Sequence, residues 1–224
     1  MILDNLNKIR YRIRAAAQRA GRDPDRVSLV VVTKYANPEQ VREVIASGLV
    51  QEVGENRVQA AQARKLELGD WAGRVGWRLI GHLQTNKAKK AAEIFDAIDS
   101  VDSLRVAEAL ERALAQSDKR MPVLIQVKIN ERETQSGAAP EELTSLLKGI
   151  EAFEHLQARG LMGIAPATDA PEQARPHFQR LRKLFEQNFS HMPEGQLSMG
   201  MSTDFEVAVE EGSTMVRIGS AVFS

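Results

Sequence analysis

The chain has 224 residues, enough for one large domain, and its 43% hydrophobic and 27% charged residues are the balance of a soluble globular protein. Thirty basic and thirty acidic residues cancel, so no overall field recruits nucleic acid or an anionic membrane, and no apolar run could span a bilayer. The absence of cysteine excludes disulfides, thiolate metal sites and cysteine nucleophiles; the opening MILDNLNKIRYRIRAAAQRA lacks a signal-peptide core, which makes cytoplasmic residence the default expectation.

Apolar residues at helical spacing (Leu3, Leu6, Ile9, Ile13) predict a helix over 3–20 that stops at Gly21. A strand follows at 28–34, then a helix from Pro38 to Ser47 closed by Gly48. VQEVGE (50–55) reads as the second strand, with a helix running through Leu68, and WRLIGHL (77–83) as the third, with TNKAKKAAEIF as its helix. DAIDSV (96–101) is the fourth strand and LRVAEALERALAQ its helix; PVLIQVKI (122–129) is the fifth, whose helix opens at Pro140 and runs to Phe153. LQARGLMGI (156–164) precedes a helix over 171–189, and QLSMGM (196–201) and MVRIG (215–219) complete the set, with DFEVAVEEG (204–212) between them. Eight strands alternating with helices predict a single (β/α)8 barrel over residues 1–224 rather than an open doubly wound sheet. No GxGxxG or GxxxxGK[ST] pattern follows any strand, which weakens the dinucleotide and P-loop alternatives. The sequence stops at Ser224, almost directly after the eighth strand, so the helix at 3–20 is expected to cover the gap an eighth helix would fill.

In such a barrel the functional groups stand where strands end and the next loops begin. Those positions are Thr33-Lys34, Glu55-Asn56, His82 with Gln84, Lys128 with Asn130, Met201-Ser202-Thr203, and Arg217, Gly219 and Ser220. The last two groups, MGMST and RIGSA, are small and hydroxyl-bearing where barrels often hold phosphate on backbone N–H groups. A lysine facing a phosphate site points to a carbonyl cofactor, pyridoxal 5′-phosphate (PLP), with the aldehyde on Lys34 and Arg217 near the ring nitrogen. The apolar strand before Lys34 is expected to desolvate its amine. An arginine, a fixed cation and donor, would favour an unprotonated ring and a weak electron sink, a site better at holding than at carbanion chemistry.

These residues resemble the pyridoxal phosphate homeostasis protein family across essentially the whole chain, in VTK, EVGENRVQ, WRLIGHLQTNKAKKA, DSVDS, VLIQVKIN, GLMGIAP and LSMGMSTDFEVAVEEGSTMVRIGSAVF. The resemblance implies a monomeric or weakly associating barrel like the N-terminal domain of alanine racemase, a fold type III PLP protein, carrying the cofactor as an internal aldimine. It implies a role in vitamin B6 homeostasis, delivering or buffering PLP for PLP-dependent apoenzymes, with no established turnover. Carried over by position, Lys34 would be the Schiff-base lysine, Arg217 would face the pyridine nitrogen and form with Gly219 and Ser220 an R-x-G-x arrangement like that of the racemase barrel, Ser202 with the nearby backbone would bind phosphate, and Asn56 would line the pocket. Two departures stand out. Gln135-Ser136-Gly137 replaces a common Lys-Ser-Gly, and the sequence ends at Phe223-Ser224 where the family usually continues, so a shortened tail is expected.

Blander readings compete at several positions. A lysine at a strand end is usually a solvated charge, and the resemblance is what reverses that reading for Lys34. His82 is expected to be a packing histidine, His155, His177 and His191 show no ligand spacing, and NKAKKA (86–91) reads as a solvated helix face. Met199, Met201 and Met215 read as core fillers. The functional alternative to a carrier is a PLP-dependent amino-acid racemase-like enzyme, for which Tyr35, beside Lys34, is the candidate base.

Overall fold

The computed structural model describes residues 1–130 and 136–224, so Gln135 lies outside the described residues. Eight parallel strands hydrogen-bond in chain order and close on themselves: β1 (Ser28–Val32), β2 (Glu52–Glu55), β3 (Gly76–Leu79), β4 (Ala97–Val101), β5 (Met121–Gln126), β6 (Leu156–Met162), β7 (Gln196–Ser198) and β8 (Met215–Ile218). The expected barrel and its strand order are therefore present, with β8 pairing back onto β1 through Ser28↔Met215 to Val31↔Ile218. Most strands end earlier than the apolar pattern suggested. β7, for example, stops at Ser198 because Gly200 takes φ +95°, a backbone conformation that leaves the ladder.

The helices sit outside this barrel: α1 (Ile2–Arg19), α2 (Pro38–Ala46), α3 (Val58–Leu68), α4 (Ala88–Ile94), α5 (Leu104–Leu114), α6 (Leu143–Glu151), α7 (Arg175–Phe189), α8 (Phe205–Glu210) and α9 (Ser220–Phe223). α1 presents Ile2, Leu6, Ile9, Ile13, Ala16 and Ala17 along one face, the i, i+3, i+4 stripe of an amphipathic helix. It ends where Gly21, at φ +65°, lets Arg22 N–H reach Ala17 O and Gly21 N–H reach Gln18 O. That stripe packs on Val31 of β1, Val216 and Ile218 of β8, and Val222 of α9. Burying its larger residues is worth about 1.5–3 kcal/mol each. With α9 only four residues long, α1 covers the seam between β8 and β1, as the sequence predicts. Asn5 Nδ2 fastens the seam by donating to Val222 O (3.1 Å) and Ser224 O (2.9 Å).

Strand alternation sorts the remaining residues. Val31, Val53, Trp77, Leu79, Ile98, Val123, Ile125, Leu161 and Leu197 pack against helices. Their neighbours face the barrel interior, where the Val30 and Ile80 side chains come together over Gly54; a Cβ there would meet them at 3.0 and 3.1 Å. The interior also carries charge. Buried Arg78 donates to Asp99 from Nε (2.9 and 3.1 Å) and Nη2 (2.8 Å), to Glu52 (2.6 Å) and to Gln196 (3.0 Å). Burial works against the Arg78 cation, but Asp99 and Glu52 outweigh it and hold the group above its ordinary value. Among the described residues no helix is long and apolar enough to cross a membrane.

Candidate cofactor site

The six residues singled out in the sequence lie along one arc at the C-terminal rim, on the ends of β2, β1, β8 and β7. Thr33 N–H donates to Gly54 O (3.1 Å), which sets the Thr33-Lys34 turn beside Asn56. A Cβ at Gly219 would stand 3.1 Å from Val32 O, so the Gly219-Ser220 turn abuts the other flank of the same strand end. Arg217 N–H donates to Gly200 O (3.0 Å), which brings in the loop carrying Ser202. The barrel closure makes neighbours of residues that lie almost two hundred positions apart.

Lys34 is in phase with the inward-facing Val30 and Val32, one residue beyond buried Thr33. Its location is as expected; its surroundings are not. The side chain is exposed, and its Nζ lies 4.7 Å from the ring centroid of Tyr35, which is itself 86% exposed. The apolar strand does not desolvate this amine, because β1 stops at Val32 and the chain turns outward, with Ala36 N–H on Thr33 O (3.0 Å). α2 begins directly after this turn with a reciprocal cap: Gln40 N–H donates to Asn37 Oδ1 and Asn37 N–H to Gln40 Oε1, both 2.9 Å, and Pro38 sits in the first turn.

Arg217 is the opposite case, 3% exposed at the end of β8. Nη1 donates to Ser198 Oγ (2.6 Å) and Nη2 to Gly163 O (3.0 Å), so the guanidinium reaches across β7 to the end of β6. Burial pulls it down to about 10; Asp99 and Asp204 oppose that fall and Arg78 adds to it. It remains a cation at neutral pH. Asp204 also shapes the neighbouring loop, because its Oδ1 accepts from Met201 N–H (2.6 Å) and folds residues 201–204. Burial raises the Asp204 carboxyl, against the Met201 N–H and Arg217.

Three features of this arc suit a polar ligand. Among the described residues, the backbone N–H groups of Ser202, Gly219 and Ser220 donate to no carbonyl or side chain. Buried Asn56 Oδ1 has no partner either, so one end of that amide is unused. Gly200 and Gly219 bring backbone close to its neighbours, and a Cβ at Gly200 would sit 2.5 Å from Ala208 Cβ. An amine, a row of free amides and a buried cation suit an anionic ligand with a carbonyl carbon: the amides and Arg217 take acceptor oxygens or a ring nitrogen, and the amine takes the carbonyl. A cleft at the other end of the barrel, about 420 Å³ and lined by Arg10, Tyr11, Arg14 and Ser28, offers less. There Arg14 is paired with Asp25 at 3.2 Å and Arg10 donates to Leu49 O at 3.0 Å.

Sequence reasoning missed several supports. Arg78, Asp99 and Ser198 surround Arg217, and Glu55 holds Thr33, yet their supporting roles were not foreseen. The recoverable signal was Asp204, which opens DFEVAVEEG and in the structure directly precedes α8, a position where loop-folding carboxylates concentrate. His82 is not a packing residue: its side chain is 51% exposed, with Nδ1 3.3 Å from Asp102 Oδ2. Among the described residues no group of three or more His, Asp or Glu is placed to hold a metal.

The pyridoxal phosphate homeostasis protein of Pseudomonas aeruginosa is 40% identical to this chain over 224 residues, covering 99% of this chain and 94% of that protein. This chain belongs to the pyridoxal phosphate homeostasis protein family. The broader family described as alanine racemase, N-terminal domain, matches residues 5–224. Among solved structures, PipY of Synechococcus elongatus with PLP bound superposes with a TM-score of 0.84 at 33% identity, covering all of both chains. An alanine racemase of Clostridium difficile gives 0.74 at 13% identity over 98% of this chain and 56% of the racemase, a likeness of fold alone.

Proposed function

We propose that this protein is a cytoplasmic, monomeric PLP carrier of vitamin B6 homeostasis, with residues 1–224 acting as one domain that holds the cofactor and yields it to PLP-dependent apoenzymes. The observation that carries this reading is the rim arc itself, which sets an exposed lysine beside the unbonded amides of Gly219 and Ser220, with buried Arg217 beneath. PLP supplies an aldehyde that condenses with a primary amine, losing water, and a ring that can accept electrons. Lys34 Nζ would provide the amine. Ser202, Gly219 and Ser220 would orient the phosphate through N–H and hydroxyl donors, and the Asn56 amide would use its free end on the ring substituents. Arg217 would face the ring nitrogen and keep it unprotonated, which weakens the sink that racemisation and decarboxylation require. The exposure of Lys34 suits a carrier, because an incoming amine reaches the linkage from solvent.

Mixing the protein with PLP should produce an absorption band near ~420 nm that borohydride fixes on Lys34. Lys34→Ala should abolish both. Undiminished adduct in that variant would refute the assignment of Lys34, and racemisation of alanine above trace rate would refute the carrier reading in favour of a racemase-like enzyme.

A further inference from the structure

Glu55 is fully buried on the outer side of β2, between the barrel and α3. Its Oε1 accepts two hydrogen bonds, from Thr33 Oγ1 (2.6 Å) and from Arg64 Nε of α3 (2.9 Å). Its Oε2 has no partner among the described residues. A buried carboxylate with half its acceptors unused is an expensive way to join two strands and a helix, and a pair of apolar side chains would do that work as well. What an apolar pair would not do is fix the rotation of Thr33. That residue is wholly buried, its N–H is on Gly54 O (3.1 Å) and its carbonyl accepts from Ala36 N–H (3.0 Å), so it is the hinge of the turn that carries Lys34. Glu55 also directly precedes Asn56, and its own carbonyl accepts from Ile80 N–H (3.0 Å). One carboxylate thus sits behind both the turn that carries the amine and the amide beside it.

We propose that Glu55, acting through the Thr33 hydroxyl, is a positioning residue that sets where Lys34 presents its amine. Arg64, whose side chain is 12% exposed, pairs with the carboxylate at 2.9 Å and covers it from the α3 side. The clamp touches no ligand; it works through the peptide that joins Thr33 to Lys34. Its consequence is selective: the phosphate donors and Arg217 stand on the ends of β7 and β8, away from the clamp, so loosening it should harm the covalent linkage far more than reversible docking.

This inference rests on the PLP reading above, and Thr33→Val tests it, since it replaces the hydroxyl by a methyl of nearly the same shape. Two ligands separate the effects: PLP, and pyridoxine 5′-phosphate, which has the same ring and phosphate but no aldehyde. Thr33→Val and Glu55→Gln should form the Lys34 adduct about tenfold more slowly than wild type while binding pyridoxine 5′-phosphate within about twofold of it. Thr33→Ser, which keeps the donor, should restore the rate. Amide exchange at Ala36, read on the ligand-free protein, should quicken about tenfold in Thr33→Val. Equal losses for both ligands would show a merely structural role and overturn the proposal, as would a wild-type adduct rate or unchanged exchange at Ala36. If wild type itself bound neither ligand, the carrier reading would fall, and Ala36 exchange would still decide whether the clamp exists.

Discussion

Replacing Arg78 by methionine removes the one cation that, among the described residues, is bonded to Asp99 inside the barrel. Asp99 is wholly buried and takes three contacts from that guanidinium, at 2.8, 2.9 and 3.1 Å. Leaving a buried carboxylate without its partner costs about 3–5 kcal/mol. The other partner, Glu52, is 29% exposed and can rehydrate, so it adds little. Arg217 also lies in the field of Asp99 and offsets part of the loss, which favours the lower half of the range. For a chain of this length each kcal/mol moves the thermal midpoint by about 2–4 °C, so a fall of roughly 6–16 °C is expected. Urea unfolding at neutral pH measures this directly. Adding Asp99→Leu removes the stranded charge and should recover most of the loss. A deficit under about 1 kcal/mol at neutral pH, or a double variant no more stable than the single one, would refute the reasoning.

Two further outcomes follow from the rim. A Cβ at Gly81 would stand 2.1 Å from Asn56 O, about 1 Å inside any tolerable contact, so Gly81→Ala must displace the β2 end. It should cost at least about 1–3 kcal/mol and weaken pyridoxine 5′-phosphate binding together with adduct formation, unlike the clamp variants; wild-type stability and binding would count against the assigned close approach. Burial raises the folded pKa of Asp204, so its contribution to folding grows as pH falls from neutral towards the ordinary carboxylate range. Asp204→Asn keeps an acceptor for Met201 N–H; relative to it, wild type should gain stability on acidification, and a gain on raising pH would contradict the sign.

The barrel was legible because parallel strands covered by helices read as short apolar runs at regular intervals, and helix stops such as Gly21 and Gly48 punctuate them. The rim residues followed, since strand ends are fixed once strands are counted. The supports behind them were not legible, for a reason particular to closed barrels. In EVGE, GWRL and AIDSV the alternate positions hold Glu52, Arg78 and Asp99, and alternation alone assigns such residues to a water-facing side. Closure turns that side into a dry interior where the charges must satisfy one another, and only the shared partner Arg78 reveals the pairing.

The error over Lys34 has the same root in reverse. Leu29–Val32 are apolar, and it is natural to extend their dryness to the next residues, but burial on a strand belongs to positions within the ladder and ends with it. Thr33, just past the ladder, is still dry and packed against Glu55; Lys34, the next residue, is wet. The boundary between them falls within a single peptide. An amine there is open to solvent and to incoming ligands, while the backbone that carries it is held by buried groups on its inner side. What distinguishes this lysine from the other exposed ones is its surroundings along the rim: amides that are free among the described residues, and the Arg217 cation.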